Sequence, residues 1–408
     1  MTDCRMKING KCGTAICYAK VIEPSAVEQI KTMCDYEPAR GSRIRIMPDV
    51  HAGAGCTIGT TMTITDKVVP NVVGVDIGCG MYTVKLAEKE IDFEKLDEVA
   101  HYIPSGMNVW EGRHERFDLQ RFYCFRDLKD TKWLERSLGT LGGGNHFIEV
   151  DRGSDESLYL VIHSGSRNLG KQVAEYYQHI AIELNEGKEE YYKKRDAIIT
   201  EYKATGRRSE IQEALKQLKA EKTERTIPDA LCYVYGDWFK KYLADIVVCQ
   251  EFAVKNRELI AKTLLERADL HAIDSFHTIH NYIDADEMIL RKGAIAAHKG
   301  QRVLIPISMR DGSILGIGRG NADWNYSAPH GAGRIMSRHE AREKLSVEAF
   351  EKTMTGIYST SVNESTLDEA PMAYKPIDAI LGVIDETVEV ADILKPIYNF
   401  KASEEARK

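Results

Sequence analysis

GVDIGCGMYTVKLA, residues 74–87, joins a glycine-bracketed polar loop to a run of β-branched and apolar residues, a loop feeding a strand. Outward from it, RIRIMPDV (43–50) and TIGTTMTI (57–64) have the same strand character, and LYLVIHSGSR (158–167) is an apolar strand opening into a polar loop. Segments 25–35 and 92–103 read as short helices, and another is expected from about Gly170. From roughly 171 to 226 the chain is dense in Lys, Glu and Ala with few breakers, which predicts one or two long solvated helices. A helix near 230–267 carries Leu243, Ile246 and Val247 at core-facing spacing. Strands return in HTIHNYID, MILRKGAIAAHKG, RVLIPISM and ILGIGRGN, and two helical stretches, 338–354 and 376–396, close the chain. No Pro/Gly/Ser-rich hinge divides it. The expected fold class is α+β: a single large domain over 1–408, of mixed β-sheets with surrounding helices and a charged helical insertion at 171–230.

Composition narrows the function. Among 408 residues, 62 are acidic and 55 are Lys or Arg, a formal net charge of −7. That excludes attachment to nucleic acid by bulk charge and leaves a local basic groove open. Apolar residues at 43% and charged residues at 29% are globular values, not those of a disordered chain. No apolar run approaches the ~18 residues of a membrane helix. The N-terminal MTDCRMKINGKCGTAICYAK lacks an apolar signal core, so the expected location is cytoplasmic, with no membrane partner. Nine cysteines, at 4, 12, 17, 34, 56, 79, 124, 232 and 249, are odd in number and contain no CxxC. Most read as small buried hydrophobes; Cys79 has company that argues otherwise.

Five glycine-bracketed polar clusters stand out: MPDVHAGAGCTIG (47–59), GVDIGCG (74–80), GTLGGGNHFIEV (139–150), VIHSGSR (161–167) and SAPHGAGR (327–334). Glycines beside polar side chains permit close approach to a ligand, and five such loops suggest convergence on one site. Asp76 and Cys79, three apart, can point one way; with His146, His163 and His280 they make a carboxylate, a thiolate and three imidazoles. On chemistry alone that set favours Zn²⁺ or another borderline divalent ion, and a single thiolate can bridge two metals. A lone His is more often a hydrogen-bonded core residue, so the signal lies in the set. His277, three before His280, is ambiguous. HSGSR and HGAGR place small residues and an Arg after a His, a pattern suited to phosphate through backbone nests and a guanidinium fork. There is no GxxxxGK[ST] and no KxDG, so a covalently activated nucleotide would need another nucleophile.

Taken together, these clusters resemble the RtcB RNA ligases, which join a 3′-phosphate or 2′,3′-cyclic phosphate to a 5′-hydroxyl. The resemblance runs from about residue 41 to Lys401 and includes HNY, HGAGRIMSR and EAPMAYKPIDA (369–379) as well as the loops above. It implies two Mn²⁺ ions, in place of the chemical preference for zinc: one on Asp76, Cys79 and His146, the other on Cys79, His163 and His280. It implies His330 as the nucleophile that takes GMP from GTP. It implies a guanylate pocket of Asn145, His146, Phe147, Ile148, Glu149, His280, Asn281, Pro306, Ile307, Ser308, Met309, Ser313, His330, Gly331, Ala332, Gly333 and Lys401. The implied partners are GTP and RNA with 3′-phosphate or cyclic phosphate and 5′-hydroxyl ends, the implied role tRNA splicing or RNA repair, and the implied state a monomer. Arg167 and Arg334 are candidates for RNA or nucleotide phosphates, with loop-fixing ion pairs the equal alternative. Asp49 and His51 are expected to orient ligands.

The chain departs from the family at Pro306-Ile307-Ser308-Met309, where Pro-Gly-Ser-Met is usual, and at the charged Arg310 and Asp311. Ile307 is expected to add bulk beside the pocket. The alternatives are a metal-dependent phosphoesterase without covalent nucleotide, for which His330 and Lys401 would be unneeded, and a non-catalytic RNA-binding or nucleotide-sensing protein, for which the metal ligands would be unneeded.

Overall fold

Strand Gly80–Leu86 lies inside a seven-stranded antiparallel sheet. Its order is Ala272–Ile279, Gly80–Leu86, Leu158–Ser164, Phe147–Arg152, Val388–Lys401, Gly312–Gly318, Arg302–Ser308. The computed structural model describes residues 5–53, 55–220 and 226–401; Cys4 lies outside them. The run LYLVI is apolar at every position because both faces of its strand are covered. Leu158, Leu160 and Ile162 pack with Ile260, Ala261 and Leu264 of a helix, while Tyr159 and Val161 pack with Met81, Phe147 and Leu304 on the other face. A six-stranded sheet runs Met6–Asn9, Thr14–Cys17, Ile44–His51, Ile58–Thr63, Ile289–Lys292, Asn281–Asp284, with one parallel pair, between Thr14–Cys17 and Ile44–His51. The fold is mixed α+β.

The 33-residue helix Gly236–Ala268 spans the molecule's interior. Ile246 is buried as its spacing predicts; Val248 is buried in place of Val247, and Leu243 packs from a half-buried position. The helix also buries polar residues. Asn256 Oδ1 accepts the backbone N–H of Gly139 (2.7 Å) and Thr140 (3.1 Å), and its amide donates to Thr140 O, Ser164 Oγ and Gly165 O. Arg257 Nη1 donates to Gly78 O (2.7 Å) and Ser164 O (2.8 Å). One helix turn thus ties three of the glycine loops to one another.

The charged middle holds two solvated helices among the described residues, after the separate helix expected from about Gly170. Arg167–Asn185 buries Leu169, Val173, Tyr177 and Ala181, so it belongs to the core; Lys188–Ala204 and Ile211–Ala220 carry the solvated character. At the C-terminal end, 338–354 divides into Arg338–Lys344 and Val347–Thr353. The expected helix over 376–396 is corrected: only Ile377–Ile384 is helical, and Val388–Lys401 is a 14-residue strand. Pro396 would break a helix interior; in the strand it sits at a register shift between Pro396 and Tyr398, where the ladder is already interrupted. Among the described residues no helix is long and apolar enough to cross a membrane.

Asn256→Ala leaves the Gly139 and Thr140 N–H groups buried without an acceptor. It should lower unfolding stability by about 2–4 kcal/mol, read as a shifted urea midpoint at constant slope; an unchanged midpoint would show that the loops do not depend on the helix.

Candidate metal centre and nucleotide pocket

Four adjacent strands of the seven-stranded sheet bring their loops to one edge. His280 follows Ala272–Ile279, Cys79 precedes Gly80–Leu86, His163 is the penultimate residue of Leu158–Ser164, and His146 precedes Phe147–Arg152. The register fixes this: Ile279 faces Gly80, and His163 faces both Met81 and Phe147. The ligand atoms of Asp76, Cys79 and His146, and those of Cys79, His163 and His280, lie within 4.8 Å of one another in each trio. Cys79 Sγ is 3.5 Å from His146 Nε2 and 3.2 Å from His163 Nε2; His163 and His280 Nε2 are 3.4 Å apart; His146 Nε2 is 3.0 Å from Asp76 Oδ2.

The donor set suits metal. His163 Nδ1 lies 3.0 Å from Asn145 O, which makes Nδ1 the protonated nitrogen and turns the Nε2 lone pair inward. Burial, then the neighbouring His146, holds His163 well below the usual histidine range; burial, then His330, does the same for His280. The Nε2 lone pair of a neutral His163 therefore faces His280 Nε2 and Cys79 Sγ, a geometry that also suits a shared cation. Burial, then Asp76, holds the Cys79 thiol protonated without metal, and a bound divalent ion inverts that. Burial opposes the Asp76 charge, but hydrogen bonding and proximity to His146 carry its carboxyl down to about 2.

Beside this cluster is a cavity of about 280 Å³. Its lining includes Asn145, Phe147, His280, Asn281, Pro306, His330 to Gly333, and Lys401. His330 is held by Asp49, whose Oδ2 accepts its Nδ1–H (2.6 Å) and the backbone N–H of His330 (3.1 Å) and Gly331 (3.2 Å). Nε2 is thereby left free for the cavity, and the His330 ring packs edge-on to His280 with centroids 4.9 Å apart. Gly333, at φ +74°, lets this loop lie directly on the Asp49 carbonyl, where any Cβ would overlap it. Asp49 thus orients the expected nucleophile rather than a metal ligand; His51 donates Nδ1–H to Asp49 O (3.0 Å) and lines the cavity.

A buried carboxylate organises the opposite wall. Glu369 accepts Lys401 Nζ (2.8 Å) and Tyr374 OH (2.6 Å), with Arg338 Nη1 at 2.8 Å and Arg334 Nη1 at 3.4 Å. Burial opposes its charge, but Lys401, Arg338 and Arg334 carry its carboxyl down to about 2.

Other expected site residues lie elsewhere, except Arg334, which also lines the cavity. Ile148 points to the sheet's other face. Ile307 packs among Ile295, Ala328 and Ile380 behind the loop, so the bulk expected beside the pocket is absorbed by the core. Met309 packs with Phe350 and Met354. Ser308 Oγ caps the turn by accepting Asp311 N–H (3.1 Å), and Arg310 pairs with Asp311. Glu149 and Ser313 are buried beyond the cavity wall. Arg167 bonds Thr140 Oγ1 (3.0 Å) and Gly106 O (2.6 Å), and Arg334 bonds Met336 O (3.0 Å) and Asp368 O (2.5 Å), so both guanidinium groups are engaged within the protein. His277 stacks on Tyr82 and faces Glu258, apart from the cluster.

The family model described as tRNA-splicing ligase RtcB matches residues 36–122 and 124–402. The chain belongs to the RtcB family. It is similar to the RNA-splicing ligase RtcB of Escherichia coli K12, at 29% identity over 88% of this chain and 90% of that protein. It is 30% identical to RNA-splicing ligase RtcB1 of E. coli ATCC 25922, over the same shares, and 28% identical to the tRNA-splicing ligase RtcB of Aeropyrum pernix, over 83% of each chain.

Within this RtcB chain, sequence reading missed Arg338, Tyr374 and Glu369 around the cavity, and Asn256 and Arg257 beneath the loops. The first three stand in or beside motifs already noted, MSR and EAPMAY. The last two were detectable only as polar residues on a helix's buried stripe.

Glu369 gives a pH signature. Its folded value near 2 lies below the ordinary ~4.3, so its contribution to stability is complete above about pH 4.3 and is lost as pH falls toward 2. Glu369→Gln should be less stable than wild type at pH 7, with a flatter stability curve across that acid window; parallel curves in urea titrations would contradict this. Cys79→Ala should lose both metal sites together, measured as bound Mn²⁺ per chain; retention of two ions would remove the bridging role.

Proposed function

We propose that this chain is a GTP- and Mn²⁺-dependent RNA ligase, joining RNA 3′-phosphate or 2′,3′-cyclic phosphate ends to 5′-hydroxyl ends, in tRNA splicing or RNA repair. The observation that carries the reading is the Asp49–His330 pair, which presents a free imidazole nitrogen to a cavity walled by a donor cluster and buried cations. Family membership and the relatives' names as splicing ligases support it. We read residues 1–408 as one ligase domain with 171–230 inserted.

His330 Nε2 attacks the α-phosphorus of GTP; an N–P bond forms, and the bond to pyrophosphate breaks. Asp49 fixes the tautomer and stabilises the positive charge on the ring as that bond forms. The RNA 3′-phosphate oxygen then takes GMP from His330, giving an activated diester. The 5′-hydroxyl attacks the RNA phosphate, the new phosphodiester forms, and GMP leaves. A cyclic phosphate is first opened by water. Two divalent ions, held by Asp76, Cys79 and His146 and by Cys79, His163 and His280, would offset phosphate charge and orient in-line attack. The half-exposed Arg338 lines the cavity and suits phosphate; Arg334 and Arg167 serve by fixing their own loops.

Purified protein incubated with α-labelled GTP and Mn²⁺, then quenched in alkaline denaturant, should retain label that acid releases. His330→Ala should abolish the label and keep bound metal. Asp49→Asn should slow labelling by roughly 10²–10⁴-fold, as expected for loss of a group that sets a histidine tautomer. No label on wild type with GTP or ATP would overturn the reading in favour of a metal-dependent phosphoesterase.

A further inference from the structure

A third group of metal-ligating side chains stands apart from the donor cluster. Asp284 ends strand Asn281–Asp284, Glu287 lies in the turn that leads to strand Ile289–Lys292, and His298 follows strand Ala294–Ala296. One ligand atom from each lies within 4.8 Å of the other two, the spacing that also joins Asp76, Cys79 and His146, and Cys79, His163 and His280. None of the three lines the nucleotide cavity.

The fold fixes these side chains in advance. Asp284 Oδ1 accepts the backbone N–H of Asp286 (3.1 Å) and Glu287 (3.0 Å), which holds the turn and leaves Oδ2 for another partner. Met288 anchors the same turn from the far side: its side chain packs on the core, and its carbonyl accepts Ile64 N–H (2.8 Å). The His298 ring stacks on Tyr326, with centroids 5.6 Å apart and planes at 20°, and its backbone N–H donates to Gln301 Oε1 (3.1 Å). That placement brings His298 Nε2 to 3.4 Å from Glu287 Oε2.

Charge and donor type then point to a cation. Among the described residues neither Asp284 nor Glu287 pairs with a Lys or Arg; His298 is the basic group that meets them. Arg291, on the neighbouring strand, gives its N–H groups to Ser327 Oγ (2.8 Å), Tyr282 OH (3.0 Å) and Asn325 O (3.3 Å). An ordinary acidic patch offers oxygen alone. Here an imidazole nitrogen joins two carboxylates, a set that suits Mn²⁺ or Zn²⁺ better than Mg²⁺ or Ca²⁺.

We infer that Asp284, Glu287 and His298 form a structural site for one divalent transition ion, Mn²⁺ or Zn²⁺, separate from the donor cluster, with water completing its coordination. The ion ties the hairpin of Asn281–Asp284 and Ile289–Lys292 to the chain that leaves Ala294–Ala296. That hairpin begins beside His280, and Ala294–Ala296 pairs with Ser327–Pro329, which runs into His330. The ion therefore braces, from outside the cavity, the two segments that place His280 and His330.

The test counts ions on full-length protein by equilibrium dialysis, with Mn²⁺ and Zn²⁺ in separate runs. Cys79→Ala, which should lose the ions of the donor cluster, isolates the new site. It should hold one ion more per chain than Cys79→Ala/His298→Ala. Equal counts with both metals overturn the inference and leave His298 and Glu287 as an ion pair. Asp284→Asn and Glu287→Gln, in the same background, should each weaken binding by roughly tenfold or more, since even the partners of a metal ligand are worth that much. Unchanged affinity in either overturns the three-residue site. Excess Mg²⁺ should leave the ion bound; its displacement overturns the part assigned to the imidazole. Adding the ion should raise the urea midpoint of Cys79→Ala and not that of the double variant, and equal shifts overturn the bracing role. Should Cys79→Ala not fold, wild type and His298→Ala carry the comparison, with one ion fewer expected in the variant and equal counts again overturning the inference. None of these readouts uses GTP or RNA, so the result stands whether or not the ligase reading does.

Discussion

The site depends on the antiparallel register of the seven-stranded sheet. Neighbouring antiparallel strands begin and end together, so His280, Cys79, His163 and His146 arrive at one edge although they are scattered over some two hundred positions of sequence. Lys401 joins them because it pairs with Phe147 at the end of the next strand. A one-residue slip of any strand would turn its side chains to the opposite face. The apolar alternation on both faces opposes such a slip: Leu158, Leu160 and Ile162 fill one core, and Tyr159 and Val161 the other. Asn256 and Arg257 add a second constraint from beneath, since their bonds to Gly78, Gly139, Thr140, Ser164 and Gly165 fix the loops where the strands stop doing so.

The electrostatics of the two cavity walls are opposite in kind. On one, a carboxylate, a thiol and three imidazoles are short of positive charge; on the other, Lys401, Arg334 and Arg338 gather around Glu369, and Arg338 also pairs with Asp368. Glu369 does not neutralise that wall. It holds three long cationic side chains in place. The chain's net charge of −7 therefore says nothing against a polyanionic substrate, because the charge that matters is local.

The side chains that the structure gathers into one cluster were more legible in sequence than the elements that hold them. Glycine-bracketed motifs announce Asp76, Cys79, His146, His163, His280 and His330 because backbone approach and side-chain chemistry are both local. Asp49 was noticed beside His51, yet its bond to His330 spans 281 positions, and no local pattern encodes that. Asn256 and Arg257 break the apolar stripe of a helix, a signal that periodicity treats as noise. Ile307 was read as an intrusion because a missing glycine is visible in sequence, while the core that receives its side chain is assembled from Ile295 and Ala328 on other strands and Ile380 on a helix. Residues 388–396 were taken for helix for a related reason. Their strand character comes from pairing on both sides, with Phe147–Arg152 and Gly312–Gly318, a tertiary effect that outweighs local propensity.

His280 is also the joint between the two halves of the site. The chain leaves the seven-stranded sheet at Ile279 and enters the six-stranded sheet at Asn281, so His280 alone lies between them. Its backbone N–H donates to Cys79 O (2.9 Å), and the backbone N–H of Gly78 donates to Asn281 O (2.6 Å), which pins the crossing to the loop that carries Asp76 and Cys79. On the far side, the six-stranded sheet carries Asp49 and through it His330. The donor cluster is therefore built on one sheet and His330 is held by Asp49 of the other, and the two meet at a single residue whose ring touches both. A shift of one sheet against the other would separate His330 from the cluster without disturbing either part internally. That is why the packing around His280 bears on chemistry as directly as the ligands do.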